Sequence, residues 1–226
     1  MMLVGNKIGD PESKTSGIDS LELCMNQEHY KSYTKKISYR YNSKGFRDDE
    51  WPEDLSDVIW CVGDSFTVGV GQPFAEIWPQ LLDKKIDKRC LNLGEDGCSN
   101  DTMCLRIQEI CNLYNPKIIV VMWSYLSRRR KNNEDVQYDK DSFGDQQDIA
   151  NFIKNYKIVN QLDAKVINLI IPNAITRPDI VDYVLKKQFK KKSHLIHFEQ
   201  LDWARDFHHF DIKTSKNICD LIAENI

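Results

Sequence analysis

The stretch CVGDSFTVGVG, residues 61–71, sets Ser65 between an acidic and an aromatic residue, directly after an apolar run. Gly-Asp-Ser is ordinary turn vocabulary, but at a strand end the same residues could present a nucleophile. A serine hydroxyl is a poor nucleophile at neutral pH and needs a base, normally a histidine oriented by a carboxylate. Of the five histidines, His29 lies in an irregular N-terminal stretch, and His194 and His197 flank an apolar pair as strand-end or surface residues. His208 and His209 stand in the loop-like WARDFHHFD, with Asp206 three residues before His209. If that segment turns, the Asp206 carboxylate comes back toward the His209 ring, with Nδ1–H donating and Nε2 facing the nucleophile. The bland alternative is a helix-capping aspartate beside surface histidines. Acyl transfer also needs donors for a developing oxyanion. NLGEDGCSND supplies Gly94 and Gly97 just before a helix N-terminus, where amides are unpaired. The same two glycines would equally serve to turn a strand into a helix.

Elements that could bring these residues together are readable as alternating short apolar runs and helical periodicities. DVIWCVG, RCLNLG, KIIVVMW, KVINLIIP (stopped by Pro172) and HLIHF read as five strands buried on both faces. Between them, helices are expected near 78–87, with Pro79 in the first turn, and from Ser99 or Asn100 onward, with Met103, Ile107, Ile110 and Cys111 on one face. Further helices are expected over 147–162, 179–192 and 213–226, while the polar stretch 128–145 reads as a loop. This alternation predicts a doubly wound α/β fold, a flavodoxin-like three-layer sandwich on a mostly parallel five-stranded sheet. Ligands in such sheets bind beyond the carboxyl ends of the strands, at the topological switch point, and both Ser65 and the Asp206–His209 segment should emerge at that edge. Residues 1–30 lack periodicity and read as an arm or loosely packed lead-in. Ile37, Tyr39 and Tyr41 then alternate as in a strand, and NSKG reads as a turn. The expected organisation is an arm over 1–55 and a core domain over 56–226.

These motifs resemble the SGNH (GDSL-type) hydrolase family, and GDSFTVGVG is especially similar to members carrying GDSFT followed by spaced glycines. Gly63-Asp64-Ser65 looks like the family's first block, Gly97 like its second-block glycine, and Asp206-Phe207-His208-His209 like its D-x-x-H block. NSKGFR at 42–47 is similar to a lead-in found before GDSFT in some relatives. The resemblance implies Ser65 as nucleophile, His209 as base, Asp206 as its orienting partner, and the Ser65 and Gly97 amides as oxyanion donors, without a metal or organic cofactor. It implies activity on acyl esters, including carbohydrate esters, with acyl transfer to glycans in some relatives. Two departures stand out. Phe210 and Thr214 occupy places that are Pro and Gly in many members, and the third-block Gly-x-Asn-Asp is missing after VVMW. Tyr125 stands near the missing Asn by position, with Ser124, Ser127 and Arg128 beside it as substitute donors. The substrate- and oxyanion-facing set is therefore Asp64, Gly97, Ser124, Tyr125 and Arg128.

Composition bounds the alternatives. A net charge of -3, from 31 basic and 34 acidic residues, gives no basis for wholesale nucleic-acid binding. No apolar run approaches the roughly 18 residues of a membrane span, and the start MMLVGNKIGDPESK does not read as a signal peptide. Seven cysteines (24, 61, 90, 98, 104, 111 and 219) without CxxC predict free, mostly buried thiols in a reducing, cytoplasmic setting, with neither disulfides nor zinc. The basic clusters 128–131 and 186–192 read as solvated faces, with an anion-binding role favoured slightly at Arg128. Three functions compete: an acyl-ester hydrolase or transferase; a non-catalytic glycan-binding module stacking sugars on Trp123, Tyr125 or Trp203; and a phosphate binder using the glycines of 69–71. Oligomeric state leaves no trace in the sequence.

Overall fold

A computed structural model describes residues 3–5, 12–137, 146–172 and 195–226. The predicted helix over 179–192, its lysines and His194 lie outside the described residues.

Within the N-terminal stretch, the described residues from Glu12 onward form short elements. Strand β1 (Glu12–Ser13) and helices α1 (Leu21–Cys24) and α2 (Glu28–Ser32) precede β2 (Tyr39–Arg40), which pairs antiparallel with β1. The alternating side chains Ile37, Tyr39 and Tyr41 are buried together as a small satellite core. Leu3, Asp19 and Cys24 are also buried. The NSKG turn is closed by Asn42, whose side-chain oxygen accepts from the Lys44 and Phe46 amides at 3.1 Å each.

The apolar runs form the sheet. Strands β3 (Ile59–Gly63), β4 (Cys90–Gly94) and β5 (Ile118–Trp123) are buried almost throughout, as expected of strands covered on both faces. With β8 (Lys165–Ile170) and β9 (Leu195–Ile196) they make a parallel sheet in the order β4-β3-β5-β8-β9, the strands β6 (Arg128–Lys131) and β7 (Glu134–Gln137) lying outside it. The order reverses between β3 and β5, which is the flavodoxin-like switch point. Helices α4 (Trp78–Ile86) and α7 (Ile212–Ala223) pack together, as do α5 (Asn100–Tyr114) and α6 (Gln146–Val159), and these pairs flank the sheet. Pro79 sits in the first turn of α4, and the Ser99 side chain caps α5 by accepting from the Thr102 amide.

Residues 128–137 are not a loop, contrary to expectation. They form the antiparallel hairpin β6 (Arg128–Lys131) and β7 (Glu134–Gln137). Asn132 and Asn133, at φ 51° and 68°, make the connection, the left-handed pair a two-residue hairpin turn requires. The hairpin docks on the start of α5, where Asp101 accepts from the Arg130 amide at 2.9 Å and Asp135 accepts from Thr102 Oγ1 at 2.7 Å.

At the carboxyl edge a short helix, α3 (Ser65–Val68), follows β3 and presses onto the end of β4. A Cβ on Gly94 would lie 2.4 Å from the Val68 nitrogen, a contact that only movement of α3 could relieve. Gly94→Ala is therefore expected to destabilise the fold by about 1–3 kcal/mol. Urea unfolding measures this, and an unchanged midpoint would contradict the packing.

Candidate active site

Asp64 links β3 to α3 and caps the helix, its Oδ1 accepting from the Phe66 amide at 3.0 Å. This cap starts α3 at Ser65, whose Oγ lies 2.8 Å from His209 Nε2. His209 Nδ1 in turn lies 2.5 Å from Asp206 Oδ2. An ionised carboxylate can only accept, so Nδ1–H donates to Asp206 and Nε2 is left to accept the Ser65 hydroxyl proton. Asp206 Oδ1 also accepts the His208 and His209 amides at 3.0 Å each, which curls the segment as its three-residue offset predicts. Burial alone would raise the Asp206 carboxyl. The His209 ring, its hydrogen bond and the two amides outweigh that and hold it below its ordinary range. Ser65, His209 and Asp206 are each only 3% exposed, so water screens this chain of hydrogen bonds little.

The neighbouring residues sort themselves by their partners. His208 does not face Ser65 Oγ; its Nε2 lies 3.4 Å from the Tyr125 hydroxyl and its ring stands edge-on to His209. Asp211 is also directed elsewhere, accepting from Tyr33 at 3.0 Å and Lys35 at 2.8 Å. Burial pushes the Tyr125 phenol up to about 12, with Asp64 adding to the shift and Arg128 opposing it. Gly97 is exposed, at φ +76°, with open space where a Cβ would point. Cys98 beside it is no rival nucleophile, because burial raises its thiol well above the ordinary value.

On the far side of the switch point, Ser124 directly follows the end of β5. Its Oγ donates to Asp64 Oδ2 at 2.5 Å, and its amide donates to Asn100 Oδ1 at 2.8 Å. Asn100 Nδ2 reaches back to the Ser124 and Tyr125 carbonyls. Ser124 is thus committed to the scaffold. Arg128 is not the solvated residue its cluster suggests. Its Nη1 donates to Asp64 Oδ2 at 3.0 Å and to Ser124 Oγ at 3.1 Å, and its guanidinium lies 5.0 Å from the centre of the Tyr125 ring. Trp123 is fully buried in the core, whereas Trp203 is 45% exposed.

Several residues that hold this edge carry no motif. Arg47 is 1% exposed and donates to the carbonyls of Val68, Gly69 and Gln72 at 3.1, 2.5 and 2.8 Å, and to Ser38 at 3.0 Å. Asp19 takes the Arg205 guanidinium, and His29 Nε2 donates to the Ala204 carbonyl at 2.9 Å. The one sequence signal for any of them is the placing of Arg47 at the end of NSKGFR. Between the N-terminal segment and the Asp206–His208 turn lies a cleft of about 640 Å³, with Ile18, Leu23 and Phe207 among its walls.

No protein-family model and no curated protein matches the sequence. Solved structures do. The psychrotrophic esterase EstA from Pseudoalteromonas sp., in a structure inhibited by monoethylphosphonate, is 18% identical, with 75% of this chain and 96% of that chain covered and a TM-score of 0.53. A structure assigned to the lipolytic G-D-S-L family, from Desulfitobacterium hafniense, is 11% identical over 76% of this chain and 100% of its own, with a TM-score of 0.54. A carbohydrate esterase, whose active site is described as having divergent catalytic and non-catalytic binding functions, is 19% identical over 76% of this chain and 68% of its own, with a TM-score of 0.52. The chain shares the α/β fold of these lipolytic G-D-S-L hydrolases and esterases. Among the described residues no helix is long and apolar enough to cross a membrane.

Proposed function

We propose that this chain is a serine hydrolase of acyl esters, working through a covalent acyl-Ser65 intermediate. The observation that carries the reading is the continuous hydrogen-bonded chain Ser65–His209–Asp206 at the switch point of the sheet. In this reading Ser65 Oγ attacks the ester carbonyl carbon while its proton passes to His209 Nε2. The resulting imidazolium is stabilised by Asp206 and returns the proton to the departing alkoxide. Water, deprotonated by the same nitrogen, then breaks the Ser65 ester and releases the acid. The Ser65 and Gly97 amides serve as oxyanion donors. Arg128, held over Tyr125 and paired with Asp64, supplies the charge that stands in for the missing asparagine, since the Ser124 donors are already engaged. Residues 56–226 form the hydrolase-like unit and 1–55 an arm upon it.

The structural likeness to a carbohydrate esterase and the exposed Trp203 favour an acylated glycan or a similar small ester as substrate. A glycan-binding or acyl-transferring module is the second reading, supported by the same two observations. The free thiols suit a reducing, cytoplasmic setting. The test is incubation with a fluorophosphonate probe followed by peptide mass mapping. Stoichiometric modification of Ser65 is expected, and a folded protein that stays unmodified at long exposure would sink the hydrolase reading.

A further inference from the structure

We propose that Asp19 is a positioning residue for the Ser65–His209–Asp206 chain, acting through Arg205 and Gly71; this rests on the hydrolase reading above. Its carboxylate closes a ring of hydrogen bonds that runs through both site loops. Arg205 Nε donates to Asp19 Oδ1 at 2.9 Å and Nη2 to Oδ2 at 2.7 Å. The Arg205 amide donates to the Gly71 carbonyl at 3.0 Å, the Gly71 amide donates to the Tyr39 hydroxyl at 2.8 Å, and that hydroxyl donates to Asp19 Oδ2 at 2.6 Å. Arg205 is the residue before Asp206, and Gly71 lies just past the end of α3, which carries Ser65. The ring therefore joins the loop of the base to the loop of the nucleophile, and Asp19 is where it closes.

Three further observations make this a device for spacing. A Cβ on Gly71 would lie 2.8 Å from Ala204 Cβ and 3.2 Å from Asp206 Oδ1, so the loops meet at backbone contact with no slack. Asp19 is fully buried and the Arg205 side chain is 14% exposed, so the Asp19 carboxylate depends on its protein donors and not on water. Tyr39 also lies 4.3 Å beneath the Arg47 guanidinium, which itself grips the carbonyl end of α3. Loss of the Asp19 charge leaves Arg205 with the Lys14 carbonyl at 3.3 Å and the Tyr30 ring but no carboxylate, which loosens the residue next to Asp206, whose alignment governs the proton path from Ser65.

A ring that only stabilised the fold would change unfolding and leave folded molecules with full turnover. Asp19→Asn and Tyr39→Phe should be assayed on p-nitrophenyl acetate at a temperature where circular dichroism shows each variant folded. The expected result for Asp19→Asn is a fall in kcat of about 10²-fold, typical of small misplacement of reacting groups, with KM little changed. Tyr39→Phe should lose a smaller factor, Asp19→Glu should recover part of kcat, and the low-field Nδ1–H proton resonance of His209 should shift or broaden in Asp19→Asn. Wild-type turnover with unchanged kcat and unchanged resonance in both folded variants would overturn the positioning role alone. Should Asp19→Asn fail to fold, Tyr39→Phe decides by the same two readouts. A wild type that neither hydrolyses the ester nor takes up fluorophosphonate overturns the hydrolase reading, and the positioning role with it.

Discussion

His209→Ala is expected to lower ester turnover by about 10⁶-fold, and Asp206→Asn by about 10⁴-fold, with the fold retained in both. The inequality follows from what each group does. His209→Ala removes the ring nitrogen bonded to Ser65 Oγ, and among the described residues the neighbouring His208 ring contacts the Tyr125 hydroxyl instead. Without a charged Asp206 the ring remains, but an asparagine amide can donate to Nδ1, which favours the tautomer with its proton on Nε2, facing the nucleophile. Steady-state kinetics with p-nitrophenyl acetate measure both ratios; two equal losses, or none, would contradict these roles. Asp206 also carries a pH signature. Its carboxyl is held below the ordinary range in the folded state, so the stability it contributes is present above that range and is lost as pH falls through the folded value. Acid unfolding of Asp206→Asn should therefore be less steep with pH than that of the wild type below about pH 4.

The second large effect falls on stability. Arg47→Met is expected to cost about 3–5 kcal/mol, because it strips donors from several buried carbonyls that water cannot reach. Burial of the guanidinium works against this, and it lowers the Arg47 pKa. The native side chain has already met that cost, however, whereas the acceptors left by methionine gain nothing in exchange. Val68 and Gly69 stand at the carboxyl end of α3, so the loss should also loosen Ser65. Arg47→Lys should fall between the two, since one ammonium cannot span the four acceptors of a planar guanidinium. Urea midpoints rank the three proteins, and an Arg47→Met midpoint equal to wild type would refute the assignment.

What was legible in the sequence had a periodic or chemical signature. Continuous apolar runs announced the parallel strands, and Asp206 at a three-residue offset announced a ring partner for His209 next to Ser65. The hairpin of 128–137 was missed because its strands are charged and short, although Asn132-Asn133 was a signal for its turn. The partners of Arg47 and Asp19 are unreadable for a different reason, although NSKGFR marks the place of Arg47. Each is a buried charge whose partners lie far along the chain, and a single polar residue in an arm has no spacing to betray it. Sequence position marks Ser124 and Arg128 as substitute donors, and Arg128 as an anion binder. Their joint engagement with Asp64 across the switch point depends on strand order, which local spacing does not encode.

The serine and the imidazole that meet at the sheet edge are 144 positions apart in the chain. During synthesis the hydroxyl therefore emerges from the ribosome long before the ring it is bonded to. A growing polypeptide of this design holds Ser65 without its imidazole partner until the 205–209 segment has been made, so the contact at the sheet edge assembles late relative to the strand that begins it.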